Sequence, residues 1–158
     1  MVDKNYQLHY SSAYNFEAED TAYMLLTKEC DYGLRIMRVL SDGKIKTVRT
    51  ICELEHIPFK YSYKILKKLQ KAGLVQNKLG PSGGYILIKP LNSFSMYDVA
   101  IAVDEDLFLF ECLRKGKQCP NNNKDTPCNV HLELIRIQES LVSEMKAKSM
   151  EEVLSQTT

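Results

Sequence analysis

The sequence predicts a mainly α-helical fold with a small β-hairpin and one long helix near its carboxyl end. Three observations predict it. Apolar residues recur at helical spacing in three segments of the first half of the chain. The stretch "LVQNKLGPSGGYILI", residues 74–88, is typical of a strand, a glycine-rich turn and a second strand. Beyond a polar loop, an apolar stripe recurs at steps of three and four residues: Leu134, Ile137, Leu141 and Met145.

The first three helices have recognisable start and stop signals. Thr27 is a candidate N-cap, and Gly43 follows the end of the first helix. Thr47 opens a second, short helix. Pro58 lies at the start of the third helix, which Gly73 ends. A helix, a short turn and a basic amphipathic helix form the outline of a helix-turn-helix.

The hairpin after the third helix has three possible meanings: a phosphate-binding loop, a plain turn, or the wing of a DNA-binding domain. A phosphate loop needs a helix after its glycines, whereas a β-run follows Gly83 and Gly84 here. We therefore interpret the hairpin as a wing whose tip, Ser82 to Gly84, contacts the DNA backbone or minor groove. Glycine would let that tip approach closely because it has no Cβ.

The basic residues are concentrated in one block, although the net charge of the chain is only +1. Residues 44–89 contain ten Lys or Arg against two Glu, a balance of +8, so the remainder must carry −7. Such a block indicates a surface that binds a polyanion such as nucleic acid. The alternative is a helix face that is simply exposed to solvent. The residues that start the third helix are the best placed to reach base edges. The candidate DNA-contacting residues are Arg49, Lys60, Tyr61, Tyr63, Lys64, Lys67, Lys68, Lys71, Lys78, Ser82, Gly83 and Gly84.

Composition argues against several other classes of protein. No apolar run approaches the roughly 18 residues of a membrane span, and the start of the chain lacks a secretory pattern, so we expect a cytoplasmic protein with no membrane partner. No nucleophile–base pair, paired carboxylates or nucleotide fingerprint supports an enzyme. Residues 1–23 have weak periodicity and are interpreted as a leader or disordered extension.

Three of the five cysteines lie in one polar segment. The pattern from Cys112 through Cys119 and Cys128 to His131 is C-x₆-C-x₈-C-x₂-H. Thiolates on such a loop favour an iron–sulfur cluster, zinc or Cu(I), although the C-x₂₋₄-C start of a zinc finger is missing. The spacing alone leaves metal ligands, redox thiols and inert cysteines open.

The long helix near the carboxyl end predicts a dimer. It has an apolar stripe, and we expect no later element to cover it. Packing of the stripe on the chain's own core is the alternative. The predicted organisation is then a winged helix-turn-helix domain over 24–104, a cysteine-containing sensor loop over 105–129, and a dimerisation helix with a tail over 130–158.

Several of these segments together resemble the bacterial winged-helix transcriptional regulators of the IscR/NsrR family. They are "MLLTKECDYGLRIMRVL" at 24–40, "LKKLQKAGLV" at 66–75, "GPSGGY" at 80–85 and the cysteine loop before the long helix. The resemblance spans about 24–154. It implies a homodimeric transcription factor that binds a palindromic operator in double-stranded DNA. Several members carry an iron–sulfur cluster, 2Fe-2S or 4Fe-4S, on the loop.

The resemblance also implies a set of cluster ligands. Cys112, Cys119 and Cys128 match the family's three cluster cysteines, although their intervals are longer than is usual in the family. The fourth ligand is ambiguous between His131, which fits the C-x₂-H pattern, and Asp31, which would come from the partner subunit. Asp31 is the preferred candidate.

Two departures from the family prevent a transfer of base preference. Tyr63 stands where IscR-like members carry a base-reading Glu, and Leu79 stands where a basic residue precedes the wing glycine. The expected function is promoter binding controlled by the cluster in response to nitric oxide, iron or redox state. A cluster-free regulator that responds to thiol or cysteine status, or to a partner protein, is the alternative. A zinc-stabilised binding module or redox enzyme is a remote one.

Overall fold

The computed structural model describes residues 26–104, 107–114, 116–117, 119–122 and 127–155, so the predicted leader at 1–23 lies outside the described residues. Mainly helical architecture with one hairpin is confirmed. Two short 3₁₀ turns, Leu91–Ser93 and Glu111–Leu113, complete it. The helices are α1 (Lys28–Leu40), α2 (Val48–Glu55), α3 (Phe59–Lys71), α4 (Met96–Val103), α5 (Asn129–Lys146) and α6 (Met150–Ser155), and the strands are β1 (Val75–Lys78) and β2 (Gly84–Leu87).

The predicted helix caps form. Thr27 and Thr47 each accept, through the side-chain hydroxyl, a hydrogen bond from the amide three residues on, at 3.4 and 3.1 Å. Ser95 and Asp98 make a reciprocal capping box at the start of α4. Gly73, with φ of +71°, follows the end of α3 and begins the turn into the hairpin.

The core lies where α1, α3 and α4 meet. Gly33 of α1 makes this packing possible, because a Cβ there would lie 3.2 Å from Cγ1 of Val103 in α4. Cys30 is fully buried in this core, and Cys52 packs partly buried against it. The largest fully buried side chains include Ile36, Met37, Leu40, Ile51, Ile65, Leu66, Leu69, Val99 and Val103.

The hairpin pairs antiparallel, with Val75 opposite Leu87, and a third segment joins it. Lys46, just before α2, donates its backbone N–H to the carbonyl of Tyr85 at 2.9 Å and accepts the Tyr85 N–H at 2.8 Å. The aromatic ring of Tyr85 is buried in the core. The chain before α2 is thereby fixed to the wing, a connection that the sequence analysis missed.

The wing glycines are required by the fold of the hairpin itself. A Cβ on Gly83 would lie 2.4 Å from the carbonyl oxygen of Lys78, and one on Gly84 would lie 2.3 Å from that of Lys46. Gly84 also has φ of +154°, which side chains rarely adopt. From the sequence, the expected reason for both glycines is the close approach of DNA. The structure supplies a reason within the chain, and the DNA contact stays a prediction.

The expectation that no element follows the long helix is wrong. Helix α6 follows α5, and the backbone N–H of its first residue, Met150, donates to the carbonyl of Phe94 at 2.8 Å. Met150 is buried. The short helix after residue 149 thus connects the carboxyl end to the winged-helix domain through Met150.

The apolar stripe of α5 divides between two environments. Met145 is buried and Leu141 packs against the core, so the carboxyl half follows the alternative of packing on the chain itself. In the amino half, Ile137 of the stripe is 39% exposed, and Val130, two turns earlier on the same face, is 67% exposed. Leu132, on the opposite face, is 51% exposed. Among the described helices, none is long and apolar enough to cross a lipid bilayer.

Candidate nucleic-acid interface and cysteine loop

The exposed surface of α3 has an aromatic beginning and a basic end. Phe59, Tyr61 and Tyr63 are 52%, 39% and 45% exposed, although they belong to a helix with a well-packed inner face. Lys67 and Lys71 are exposed in the last two turns. No acidic residue occurs anywhere in this helix. The arrangement presents apolar rings and then positive charge to the solvent.

The aromatic rings of α3 are held in two separate contacts. Phe59 and Tyr63, one turn apart, pack edge to face with ring centroids 5.1 Å apart. Tyr61 instead lies beside Tyr32 of α1, at 6.0 Å between centroids. The ammonium of Lys60 lies 4.9 Å from the centroid of the Tyr61 ring, within the range of a cation–π contact.

Two of the predicted DNA-contacting lysines bind an acidic residue of the chain itself. Glu29, in the first turn of α1, accepts hydrogen bonds from the Nζ of Lys64 and the Nζ of Lys68, each at 2.5 Å. The Lys64 ammonium, followed by that of Lys68, lowers the pKa of Glu29, and Glu29 raises the pKa of Lys64. Lys68 also donates to the carbonyl of Val103 at the end of α4. We call this arrangement of Glu29, Lys64 and Lys68 the Glu29 clamp.

Three further predicted DNA contacts, on α2 and the hairpin, are accessible. Arg49 of α2 is exposed and pairs with Glu53 one turn later at 3.1 Å. Lys78 and Ser82 are exposed on the hairpin. Gly83 and Gly84 are partly covered because they contact the hairpin's own backbone and Lys46.

Two of the three loop cysteines and the candidate histidine border one open cavity of about 670 Å³. Its lining includes Cys112, Cys119, His131, Arg114 and Lys117. The Nδ1 atom of His131 is buried and has no hydrogen-bond partner. An unsatisfied buried imidazole nitrogen is unusual, and it is the kind of atom that a metal can bind.

Cys128 stands apart from that cavity lining. It occupies the N-cap position of α5, and its backbone N–H donates to the Oδ1 of Asn122 at 3.0 Å. Across the described ranges, no group of three or more His, Cys, Asp and Glu side chains is arranged to hold a metal ion. The residue types fit an iron–sulfur cluster, but the described arrangement does not assemble a full ligand set.

Asp31, the preferred fourth ligand, is engaged elsewhere in the chain. Its carboxylate pairs with Arg35, one turn later on α1, at 2.9 Å. It borders a different cavity, of about 420 Å³, together with Met150 and Leu154 of α6. The structure thus brings His131, and not Asp31, to the cysteines of the same chain.

Glu29 is the functional candidate that the sequence analysis missed. An acid in the first turn of a helix is explained locally by the helix dipole. Its partners are 35 and 39 residues away along the chain, and no short-range pattern connects them.

Comparison with known proteins identifies the family. The family model described as "Rrf2: Iron-dependent Transcriptional regulator" matches residues 26–156. Protein aau3 of Rhizobium meliloti is 30% identical over 100 residues, which are 61% of this chain and 65% of that protein. A protein of Haemophilus influenzae, named as a candidate HTH-type transcriptional regulator, is 35% identical over 81 residues, which are 51% of this chain and 53% of that protein. The alignments therefore span between half and two thirds of these relatives.

Solved structures share the fold at low identity. The oxidized form of Staphylococcus aureus CymR superposes with a TM-score of 0.67 at 17% identity, over 85% of this chain and 99% of that one. B. subtilis CymR (YrzC), titled the global cysteine regulator, gives a TM-score of 0.64 at 21% identity, over 84% and 98%. T. potens IscR superposes with a TM-score of 0.63 at 17% identity, over 84% of this chain and 91% of that one. The family match and this shared architecture show that the chain belongs to the Rrf2 family of winged-helix transcriptional regulators.

Proposed function

We propose that the chain is a homodimeric transcriptional regulator that binds a palindromic site in double-stranded DNA through α3 and the hairpin. The observation that carries the proposal is the exposed surface of α3, which has apolar rings at its start, lysines in its later turns and no acid. In a helix-turn-helix, the first residues of the second helix contact base edges. Lys60, Tyr61 and Tyr63 would then face the bases, whereas Lys67 and Lys71 would lie near phosphates.

The hairpin and α2 would supply further phosphate contacts. Lys78 and Ser82 are exposed on the hairpin that directly follows α3, and Arg49 is exposed on α2. The pairing of Lys46 with Tyr85 fixes the hairpin relative to the start of α2. DNA contacts from α2, α3 and the hairpin would therefore be made by one rigid unit.

A second copy of the chain would cover the amino half of α5. Val130 and Ile137 lie two turns apart on the same face of this helix, and they are 67% and 39% exposed. Burial of these side chains against a partner favours a dimer with two-fold symmetry, and hence a palindromic operator. Replacement of Ile137 by Glu should shift the sedimentation of the protein from dimer to monomer.

The cysteine loop is the proposed sensor. An iron–sulfur cluster on the loop would supply a centre that reacts with nitric oxide or oxidants. Cys112, Cys119 and His131 border one cavity, and the unpartnered Nδ1 of His131 supports this imidazole as a ligand. Cys128, at the first turn of α5, would complete the set only if the loop rearranged. Such rearrangement would act on α5, and through it on the dimer.

The alternative is a regulator without a cluster that responds to thiol or cysteine status. The absence of a converged group of three donors among the described residues favours it. The similar fold of a protein titled the global cysteine regulator is in keeping with it. In this alternative, the cavity that Cys112 and Cys119 border would admit a small thiol-reactive molecule.

Anaerobic purification separates the two sensors. Brown protein with visible absorbance and bound iron and sulfide supports the cluster, whereas colourless protein supports the thiol alternative. Spectra and bound iron of His131→Ala and Asp31→Ala then test the fourth ligand, since loss of a ligand changes the visible absorbance and weakens iron binding.

DNA binding is tested by fluorescence anisotropy with the protein's own promoter fragment at several salt concentrations. Lys67→Gln should make the slope of log affinity against log salt shallower by about one. Lys148→Gln, which removes the same charge between α5 and α6, is the matched control and should leave the slope unchanged. Affinity that does not vary with salt, or no binding to any duplex, would refute the proposal.

A further inference from the structure

Two aromatic side chains near the start of α3, Phe59 and Tyr63, are exposed. They neither pack in the core nor contribute to the positive charge of the helix. The inner face of α3 is completed by Ser62, Ile65, Leu66 and Leu69, all buried. Phe59 and Tyr63 lie outside that face and contact each other edge to face. Half-exposed rings at this point cost hydration free energy in the free protein. We name this pair the aromatic ridge.

The chemistry of the ridge restricts what it can recognise. A phenyl ring has no hydrogen-bond donor or acceptor, so Phe59 can contribute only apolar contacts. Tyr63 adds the apolar edge of its ring, and its hydroxyl can still donate or accept a hydrogen bond. Among the base edges in the major groove, the C5-methyl group of thymine is the apolar feature, and the other edges present donors or acceptors. An apolar ring against the amino group of cytosine would remove that group from water without a partner.

The surroundings of the ridge favour DNA over a protein partner as its occupant. Lys60 lies next to Phe59 in the chain, and Lys67 is one turn beyond Tyr63. The block that contains α3 has a balance of ten basic residues against two acidic ones. An apolar patch bordered by positive charge in a recognition helix is complementary to thymine methyl groups between two phosphate backbones.

We propose that the aromatic ridge of Phe59 and Tyr63 reads thymine methyl groups, which makes this chain a reader of thymine-rich half-sites. The inference rests on the proposed function, in which α3 enters the major groove. It goes further by naming the base feature and the two rings that select it. Tyr61 is not part of the ridge because it lies against Tyr32.

Replacing thymine by uracil removes this methyl group and changes little else in the duplex. Random-sequence duplexes are enriched on the full-length protein, and the enriched sequences are then synthesised once with thymine and once with uracil. Loss of one contacted methyl should weaken binding about fourfold, and loss of a symmetry-related pair about 16-fold. Enriched half-sites without thymine, or equal affinity for the two duplexes, would overturn the inference.

Variants assign the effect to the ridge. Phe59→Ala should bring the thymine-to-uracil ratio close to one, whereas Phe59→Leu, which keeps an apolar side chain, should retain most of it. Phe110→Ala is the matched control, because Phe110 is also an exposed phenylalanine but lies in the cysteine loop. A ratio that is the same in Phe59→Ala and in the wild type would overturn the inference. If the wild type binds DNA in a salt-dependent way but with a thymine-to-uracil ratio of one, only the inference about the aromatic ridge is refuted. If it binds no duplex, the proposed function is refuted as well.

Discussion

Replacing Glu29 by Gln should strengthen DNA binding and make it more sensitive to salt. In the free chain, the Nζ atoms of Lys64 and Lys68 each lie 2.5 Å from a carboxylate oxygen of Glu29. A DNA phosphate near these lysines must therefore compete with Glu29 for the ammonium groups, whose charge Glu29 already partly neutralises. Glutamine keeps the shape of the side chain and removes its negative charge, so neither ammonium is held in an ion pair. Lys68 keeps its contact with the Val103 carbonyl, which leaves donors for a phosphate.

The size of the effect follows from counterion release. Each additional lysine–phosphate contact changes the slope of log affinity against log salt by about −0.9 on duplex DNA. Two lysines would steepen the slope by about 1.8. Raising the salt from about 50 to about 200 mM should then weaken the variant about 12-fold more than the wild type.

The assay is an anisotropy titration of one labelled duplex at four or more salt concentrations. Glu133→Gln is the matched control, because it changes the net charge by the same amount and breaks the contact of Glu133 with Arg136, at 2.6 Å, on α5. We expect the control to keep the wild-type slope. If Glu29→Gln also keeps it, Lys64 and Lys68 do not reach phosphates, and the reasoning about the clamp is wrong.

The same variant should have a distinct pH profile of stability. The pKa of Glu29 is lowered from its ordinary value of 4.5, first of all by the hydrogen bond from Lys64. A carboxyl with a lowered pKa in the folded state stabilises the protein above the unfolded-state pKa, and this contribution is lost as the pH falls through the folded-state pKa. Below pH 4.5, wild-type stability should therefore fall more steeply than that of Glu29→Gln, as measured by urea unfolding.

Two further predictions concern the fold. Arg38→Met should lower the free energy of unfolding by about 1–3 kcal/mol, because Arg38 binds both oxygens of the buried Glu55 carboxylate and methionine leaves that acceptor unpaired. Arg49→Met, which breaks the exposed ion pair with Glu53, should change the free energy of unfolding by no more than about 0.5 kcal/mol. Equal effects of the two substitutions in urea unfolding would contradict this reasoning. Gly84→Ala should lower the free energy of unfolding by about 1–3 kcal/mol more than Gly43→Ala does. Both glycines have a positive φ, but only at Gly84 would the added Cβ also clash with backbone atoms. Similar thermal unfolding temperatures for the two glycine variants would count against it.

Features that depend on a few neighbouring residues could be predicted from the sequence. Thr27 and Thr47 cap helices because a hydroxyl reaches an amide three residues away, and that geometry is local. The glycine turn and the alternation around it predicted the hairpin in the same way. These local signals are sufficient for the helix-turn-helix outline, since α1 and α2 begin at a capping threonine, α3 follows a proline, and glycines follow α1 and α3.

Contacts between distant segments could not be predicted in this way. Glu29 meets Lys64 and Lys68, and Lys46 pairs with Tyr85, across separations of 35 to 39 residues. No helical or strand period relates such positions. The expectation that nothing in the chain covers α5 is wrong for a similar reason. A stripe of apolar residues indicates that one face of a helix is buried, but it does not indicate which surface buries it. Only the packed core shows that Met145 is covered within the chain.

The cysteine loop shows how residue type and arrangement contribute separately to a site. The chemistry of thiolate and imidazole could be predicted from Cys112, Cys119 and His131, because donor softness belongs to the side chain itself. Their arrangement could not, since a loop without helical or strand period places no constraint on where its residues meet. The structure favours His131 over Asp31 within one chain, because His131 borders the cavity of the cysteines and Asp31 pairs with Arg35. Asp31 lies away from these cysteines within one chain, so a spectrum that changes only in the Asp31 variant would indicate a ligand supplied by a second copy in the proposed dimer.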